Sequence, residues 1–139
     1  MTSERSLWST ARRHLSAYGQ LQRIESPLVI GIPDVCYCLL GHTGWLELKE
    51  LDKWPVRPTT PVRIASLIIE QVIFAESWRR AGGAAHLLLQ VGRAYVLLDA
   101  SMMRRIFNRS AIRAEVELSA LARGERVFPA SAVVRALTR

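Results

Sequence analysis

The sequence has few cysteines and no long apolar run. Its two cysteines, Cys36 and Cys38, are one residue apart, which excludes the disulfide framework of a small secreted domain and favours a reducing compartment. Polar, charged or proline residues interrupt the most apolar regions well before the ~18 residues that a membrane-spanning helix needs. The first 22 residues also lack the continuous apolar stretch of a secretory signal. We therefore expect a cytoplasmic protein without a membrane span.

Lysine is scarce, although the chain is basic. Lysine and arginine number 19 against 12 acidic residues, and 17 of the 19 are arginine. Residues 1–24 contain four arginines and one glutamate, and residues 101–139 contain eight arginines and three glutamates, whereas residues 25–100 are slightly acidic. Arginine grips phosphate through paired hydrogen bonds, so the pattern favours a polyanionic partner such as nucleic acid. A genome rich in G and C would also produce this bias.

The chain of 139 residues, half of them hydrophobic, fits one domain. Apolar spacing predicts a helix from about Leu7 to Glu25, β-rich runs at Leu28–Ile32 and Val35–Leu40, and a strand at Trp45–Glu50. After a proline-rich loop over residues 55–61, a long helix places six residues on one face: Ile64, Leu67, Ile68, Gln71, Ala75 and Trp78. A hairpin follows over Ala85–Val91 and Ala94–Leu98, and then short helices with the expected N-caps Ser101, Ser110 and Ser131.

This order of elements predicts the α/β class. The long helix would serve as a crossover between strands, so we expect a mixed central β-sheet flanked by helices, with extra helices at the C-terminus. Residues 1–139 are interpreted as a single domain, with a core over about 4–99 and a basic helical extension over 100–139.

Three carboxylates and one lysine form the most informative pattern. Residues 34 and 47 are symmetric about a turn at Leu40-Gly41, which would set Asp34 directly opposite Glu47, and strand alternation puts Lys49 on the same face. A turn at 41–44 would keep the shared face but displace Asp34 by roughly 13 Å. Glu25 continues the apolar stripe of the first helix and is expected to point inward. Inward carboxylates need a cation, and hard oxygen ligands suit Mg²⁺ or Mn²⁺.

This arrangement resembles the PD-(D/E)xK nuclease superfamily, through Pro33-Asp34 followed by Glu47-Leu48-Lys49. It is most similar to the Holliday-junction resolvases and the small phage or bacterial VRR-NUC nucleases, over about residues 25–99. The resemblance implies that Glu25, Asp34 and Glu47 bind metal, that Lys49 positions the nucleophilic water, and that Gln71 contacts the site from the crossover helix. The proline-rich insert from Leu51 to Pro61 departs from the family pattern, and residues 100–139 have no counterpart in it.

Structural roles remain open for each of these residues. Asp34 could be a turn aspartate, Glu47 a solvated strand residue, and Gln71 a residue that hydrogen-bonds the backbone between helix and sheet. Glu25 could pair with a nearby arginine. The two cysteines are expected to be small buried hydrophobes, and His14 and His86 to be structural.

The resemblance implies a metal-dependent, structure-selective DNA endonuclease in a bacterial or phage-infected cell. It would resolve Holliday junctions or other branched DNA by hydrolysing phosphodiesters, which requires a homodimer because two symmetric incisions are made. Phosphate contacts are assigned to Arg12, Arg13, Arg57 and Arg63. A stripe of Val133, Val134 and Leu137 is the expected dimer contact. Two alternatives remain: a non-catalytic nucleic-acid-binding or assembly protein on the same fold, and a sequence-specific nuclease of restriction type.

Overall fold

A six-stranded sheet forms the centre of the computed structural model, which describes residues 4–26 and 28–139. The helices are α1 (Glu4–Leu15), α2 (Ile69–Arg80), α3 (Ala100–Phe107), α4 (Arg113–Leu118) and α5 (Ala130–Leu137). The strands are β1 (Gly19–Arg23), β2 (Val35–Leu39), β3 (His42–Leu51), β4 (Ala84–Val91), β5 (Ala94–Asp99) and β6 (Ala122–Glu125). The strands lie side by side in chain order.

The sheet is mixed because α2 crosses over between two parallel strands. β3 pairs with β4 in parallel, and the other neighbouring strands pair antiparallel. Helices cover both faces of the sheet. The predicted α/β class, with a mixed central sheet and flanking helices, is therefore confirmed.

Alternation along β3 divides its side chains between two apolar layers. Leu46 and Leu48 point into a layer that contains the buried sides of α1 and α5. Trp45, Glu47 and Lys49 point to the opposite layer, formed by α2, α3 and residues 62–67. Glu47 and Lys49 thus lie between strand β3 and the helix α2.

The first helix is shorter than predicted. α1 ends at Leu15, a 3₁₀ turn follows over Ser16–Tyr18, and β1 begins at Gly19. A Cβ atom at Gly19 would collide with the carbonyl oxygen of Cys38, so glycine allows β1 to approach β2 closely. The prediction of one helix to Glu25 is wrong because pairing with β2 outweighs the helical spacing of the apolar residues.

Several other boundaries also differ from the prediction. Residues 28–32 form bends and turns instead of a strand, with Leu28, Val29 and Ile30 exposed. α2 begins at Ile69, although Ile64 and Leu67 ahead of it are buried as expected. The serine N-caps are wrong: the N-caps of α3, α4 and α5 are Asp99, Ile112 and Pro129.

The last forty residues belong to the sheet and its core. β6 pairs with β5, and α5 packs into the same apolar layer as α1. Val133, Val134 and Leu137 are 0%, 4% and 2% exposed, so their apolar stripe is used inside the chain. The prediction that this stripe forms a dimer contact is therefore wrong. Among the described residues no helix has the length and hydropathy needed to cross a membrane.

Candidate active site

The hairpin of β2 and β3 brings Asp34 and Glu47 together. Leu40 and Gly41 form its two-residue turn, and their positive φ angles of 49° and 83° are those of a type I′ hairpin turn. The pairing runs from Leu39 with His42 to Val35 with Leu46, so the next opposed pair is Asp34 and Glu47. The predicted register about Leu40-Gly41 is confirmed.

Glu47 and Lys49 form a buried ion pair on the α2 side of β3. Their exposed fractions are 2% and 3%, and Lys49 Nζ lies 3.7 Å from Glu47 Oε1. Lys49 Nζ also donates a hydrogen bond to the Ser66 carbonyl oxygen at 2.9 Å. Charged groups are rarely buried unless they are paired in this way. The alternative of a solvated Glu47 is therefore wrong.

Gln71 links this pair to the beginning of α2. Its Nε2 donates to Glu47 Oε1 at 3.1 Å, while its Oε1 accepts from the Ile68 N–H at 3.0 Å. The second bond satisfies one of the backbone N–H groups that a helix leaves open at its start. The same side chain therefore caps the helix and contacts the predicted site.

Asp34 lies just before β2 and contacts the backbone of β3. Its Oδ2 accepts a hydrogen bond from the Leu48 N–H at 2.8 Å. The Asp34 carbonyl accepts one from the Ile24 N–H, also at 2.8 Å. These bonds fix Asp34 between the end of β1 and the interior of β3, opposite Glu47 in the hairpin register. The Oδ2 bond is a structural role that strand alternation does not predict.

Glu25 is not part of this cluster. It follows β1 in an irregular segment and is exposed, so the prediction that it points inward is wrong. The neighbouring residue Ile24 pairs with Asp34, and successive residues of an extended chain point to opposite sides. The inward prediction depended on a helix that ends ten residues earlier, at Leu15.

The carboxylates of Asp34 and Glu47 are chemically suited to binding a small divalent cation. Both offer hard carboxylate oxygens, and Mg²⁺ is commonly held by one or two carboxylates, with waters and substrate phosphate as its other ligands. Within residues 4–26 and 28–139, no three His, Cys, Asp or Glu side chains are grouped to hold a metal. Of the three carboxylates predicted to bind the metal, only Asp34 and Glu47 remain together.

The predicted phosphate-binding arginines divide between two locations. Arg12 and Arg13 are exposed on α1, which packs on the face of the sheet opposite to Glu47 and Lys49. Arg57 and Arg63 are exposed in the loop that leaves β3 just beyond Lys49. Only the second pair lies on a segment adjoining the candidate site.

The face of the sheet that α2 covers also contains groups that are not among the predicted site residues. The Ser66 carbonyl accepts a hydrogen bond from Lys49 Nζ. A pattern of side chains in the sequence does not indicate a backbone acceptor of this kind. Phe74 and Trp78 stack one helical turn apart, with ring centroids 5.5 Å apart, and Trp45 packs edge-on against both. Their spacing of four residues was the available signal.

The cysteines and two of the histidines lie outside the cluster. Cys36 is half-buried and Cys38 is exposed, so the prediction of two buried cysteines is wrong for Cys38. His14 stacks on Phe128. His86 is 5% exposed on the other face of the sheet, and burial together with the positive charge of Arg79 lowers its pKa to about 4.

Comparisons with known proteins found no match by sequence, and a similar chain among solved structures. No protein-family model and no characterised protein matches the chain. Among solved structures, the chain is similar to a Holliday junction resolvase from the archaeal hyperthermophile Archaeoglobus fulgidus. The TM-score is 0.47 and the identity 17%, over 71% of this chain and 75% of the resolvase.

Proposed function

We propose that this chain is a metal-dependent DNA endonuclease that hydrolyses phosphodiester bonds. The observation that carries the proposal is the placement of Glu47 and Lys49, a carboxylate and an amine buried side by side, with Asp34 opposed to Glu47 across the hairpin. They lie on the face of the sheet that carries an apolar layer. A buried ion pair adds little to the stability of a fold, because hydrophobic side chains of similar volume in its place often give a protein that is equally stable.

Asp34 and Glu47 are the residues that would hold Mg²⁺ or Mn²⁺. Such a cation, when bound, stabilises developing charge on a phosphate and lowers the pKa of water. Lys49 carries the compact charge that neutralises the transition state or orients the attacking water. Its bond to the Ser66 carbonyl holds the ammonium in place. Gln71 acts as a positioning residue, because it fixes Glu47 Oε1 from the helix side.

The proposed substrate is branched DNA, such as a Holliday junction, and the proposed assembly is a homodimer. Asp34, Glu47 and Lys49 supply one proposed centre per chain, whereas resolving a four-way junction needs two symmetric cuts. Arg57 and Arg63, exposed on the loop that follows β3, are the proposed contacts to phosphates. Arg12 and Arg13, on the far side of the sheet, could contact only a DNA arm that passes around the domain.

A cleavage panel tests this function. Purified protein is incubated with labelled junction, flap, linear duplex and single strand, each with Mg²⁺, Mn²⁺ or EDTA. The proposal predicts metal-dependent products from branched DNA. Tight binding without any product would identify a nucleic-acid-binding or assembly protein, and discrete cuts at one sequence in linear duplex would identify a nuclease of restriction type.

A further inference from the structure

A groove lined by apolar and cationic side chains begins at the end of β3, beyond the candidate site. It encloses about 360 Å³. The apolar lining comes from Leu51, Trp54, Val56 and Pro61, and the charged lining from Lys53 and Arg63. We call this the Trp54 groove. Neither the metal ligands nor Lys49 belong to it.

The groove is framed by a loop with little conformational freedom. Pro55, Pro58 and Pro61 each restrict the backbone of residues 55–61. The loop is closed internally by a bond from the Thr60 N–H to the Arg57 carbonyl at 3.1 Å. Val62 ties it to the rest of the domain, because its N–H donates to the Ala111 carbonyl at 2.8 Å. A ligand would therefore meet a preformed surface, and ordering that surface would cost little free energy.

Arg113 fixes the indole of Trp54. Its guanidinium carbon lies 5.0 Å from the ring centroid, and its Nε is paired with Glu117 at 3.2 Å. This cation–π contact orients the ring from α4, and the part of the indole that lines the groove remains accessible. An oriented aromatic ring is the surface on which single-stranded nucleic acids stack their bases.

The groove starts close to the proposed reaction centre. Leu51 lies two residues after Lys49 on β3, so their side chains point to the same face, about 7 Å apart along the strand. Leu51 is four residues from Glu47, about 13 Å along the strand, so a DNA strand with a phosphodiester at Asp34 and Glu47 would carry a nucleotide one or two positions away to the groove.

From these features, and resting on the proposed endonuclease function, we infer that the Trp54 groove binds the unpaired base of a nucleotide one or two positions from the cleaved bond. The base packs against Trp54 and Val56, and Lys53 and Arg63 contact its phosphate. A nucleotide offers an aromatic base face to the apolar lining and an anionic phosphate to the two cations, whereas an apolar peptide has no anionic group. A base that is paired and stacked in a duplex cannot enter, so the groove would select DNA that is unpaired beside the cut.

Binding without metal tests the groove separately from cleavage. Fluorescence anisotropy in EDTA compares a labelled oligothymidylate with an abasic strand of the same length. The intact protein is expected to bind the oligothymidylate at least about fivefold more tightly. Trp54→Leu should abolish this preference and keep the affinity for the abasic strand, whereas Trp54→Phe, which retains an aromatic ring, should preserve it.

Two further variants keep the result decisive. Trp78→Leu removes another partly exposed tryptophan, which lies near the C-terminal end of α2 and does not line the Trp54 groove. This variant should leave the preference unchanged. Val56→Asn, at a side chain 86% exposed, removes apolar groove surface without disturbing the core, and should reduce the preference even where Trp54→Leu fails to fold. Equal binding of both strands by the intact protein, or an unchanged preference in Val56→Asn and a folded Trp54→Leu, would overturn the inference. A base preference without any cleavage product would instead refute the proposed endonuclease activity and still support base binding by the Trp54 groove.

Discussion

Gln71 of α2 donates a hydrogen bond to Glu47 of β3, with Nε2 3.1 Å from Oε1. The same amide caps the helix through the Ile68 N–H, so the beginning of α2 and the carboxylate are held in one fixed geometry. This relationship connects the fold to the proposed chemistry. The crossover helix α2, which makes the sheet mixed, therefore also positions Glu47, a proposed metal ligand.

Loss of the Gln71 bond should impair catalysis more than DNA binding. Gln71→Ala leaves Glu47 without its amide donor, and we expect kcat to fall by about 10- to 100-fold, with KM for DNA little changed. The helix cap is lost as well, which should cost about 1 kcal/mol of unfolding free energy. Steady-state cleavage and urea unfolding measure the two effects. A change in stability with kcat unaltered would mean that Gln71 is only a cap.

Removal of either carboxylate charge should abolish cleavage and spare binding. Asp34→Asn keeps an oxygen that can accept the Leu48 N–H, and Glu47→Gln keeps the shape of the side chain, so both isolate charge from structure. We expect rates at least about 100-fold lower, with DNA affinity unchanged or higher. Asp52→Asn, at an exposed aspartate just after β3, is the matched control and should cleave normally. Parallel loss of folding and binding would identify a structural pair.

The arginines near the cluster should contribute more to DNA binding than those on α1. Arg57→Gln with Arg63→Gln should weaken binding and reduce the slope of log affinity against log salt by about one for each phosphate that the variant no longer neutralises. Arg12→Gln with Arg13→Gln removes the same charge from the opposite face, where a smaller effect is expected. Salt titrations of both double variants make the comparison. Equal slopes would show that DNA extends around both faces.

Stability should fall on acidification because His86 is buried in its neutral form. Its pKa is lowered from 6.5 to about 4 by burial and by Arg79, against the opposing effect of Asp99. The unfolded chain therefore binds the additional proton first, and the unfolding free energy should fall by about 3 kcal/mol as the pH drops from above 6.5 to about 4. His86→Leu should flatten this part of the curve, measured by chemical unfolding at each pH. An equally steep curve in the variant would assign the loss to other groups.

Local signals in the sequence were sufficient for the hairpin that forms the candidate site. The Leu40-Gly41 turn and the alternation of β3 involve residues close in the chain, and together they place Asp34, Glu47 and Lys49. Glu25 was misplaced because Tyr18 and Leu21 continue a helical spacing, while pairing with β2 makes this segment a strand. That pairing depends on residues more than ten positions away, and the periodicity of a local segment carries no information about them.

The C-terminal region shows the same limit more strongly. The sequence shows its apolar stripe but not the partner of that stripe, because α5 packs against α1 from the other end of the chain. β6 has the sequence Ala-Arg-Gly-Glu, which lacks the β-branched and aromatic residues typical of strands. It becomes a strand through its pairing with the edge of β5.

The most direct test of the account is a crystal of the protein soaked in Mn²⁺. If Asp34 and Glu47 hold the metal together, one anomalous-scattering peak will lie in contact with carboxylate oxygens of both residues. Well-ordered carboxylates with no peak between them, at a manganese concentration well above that used in the cleavage panel, would contradict it.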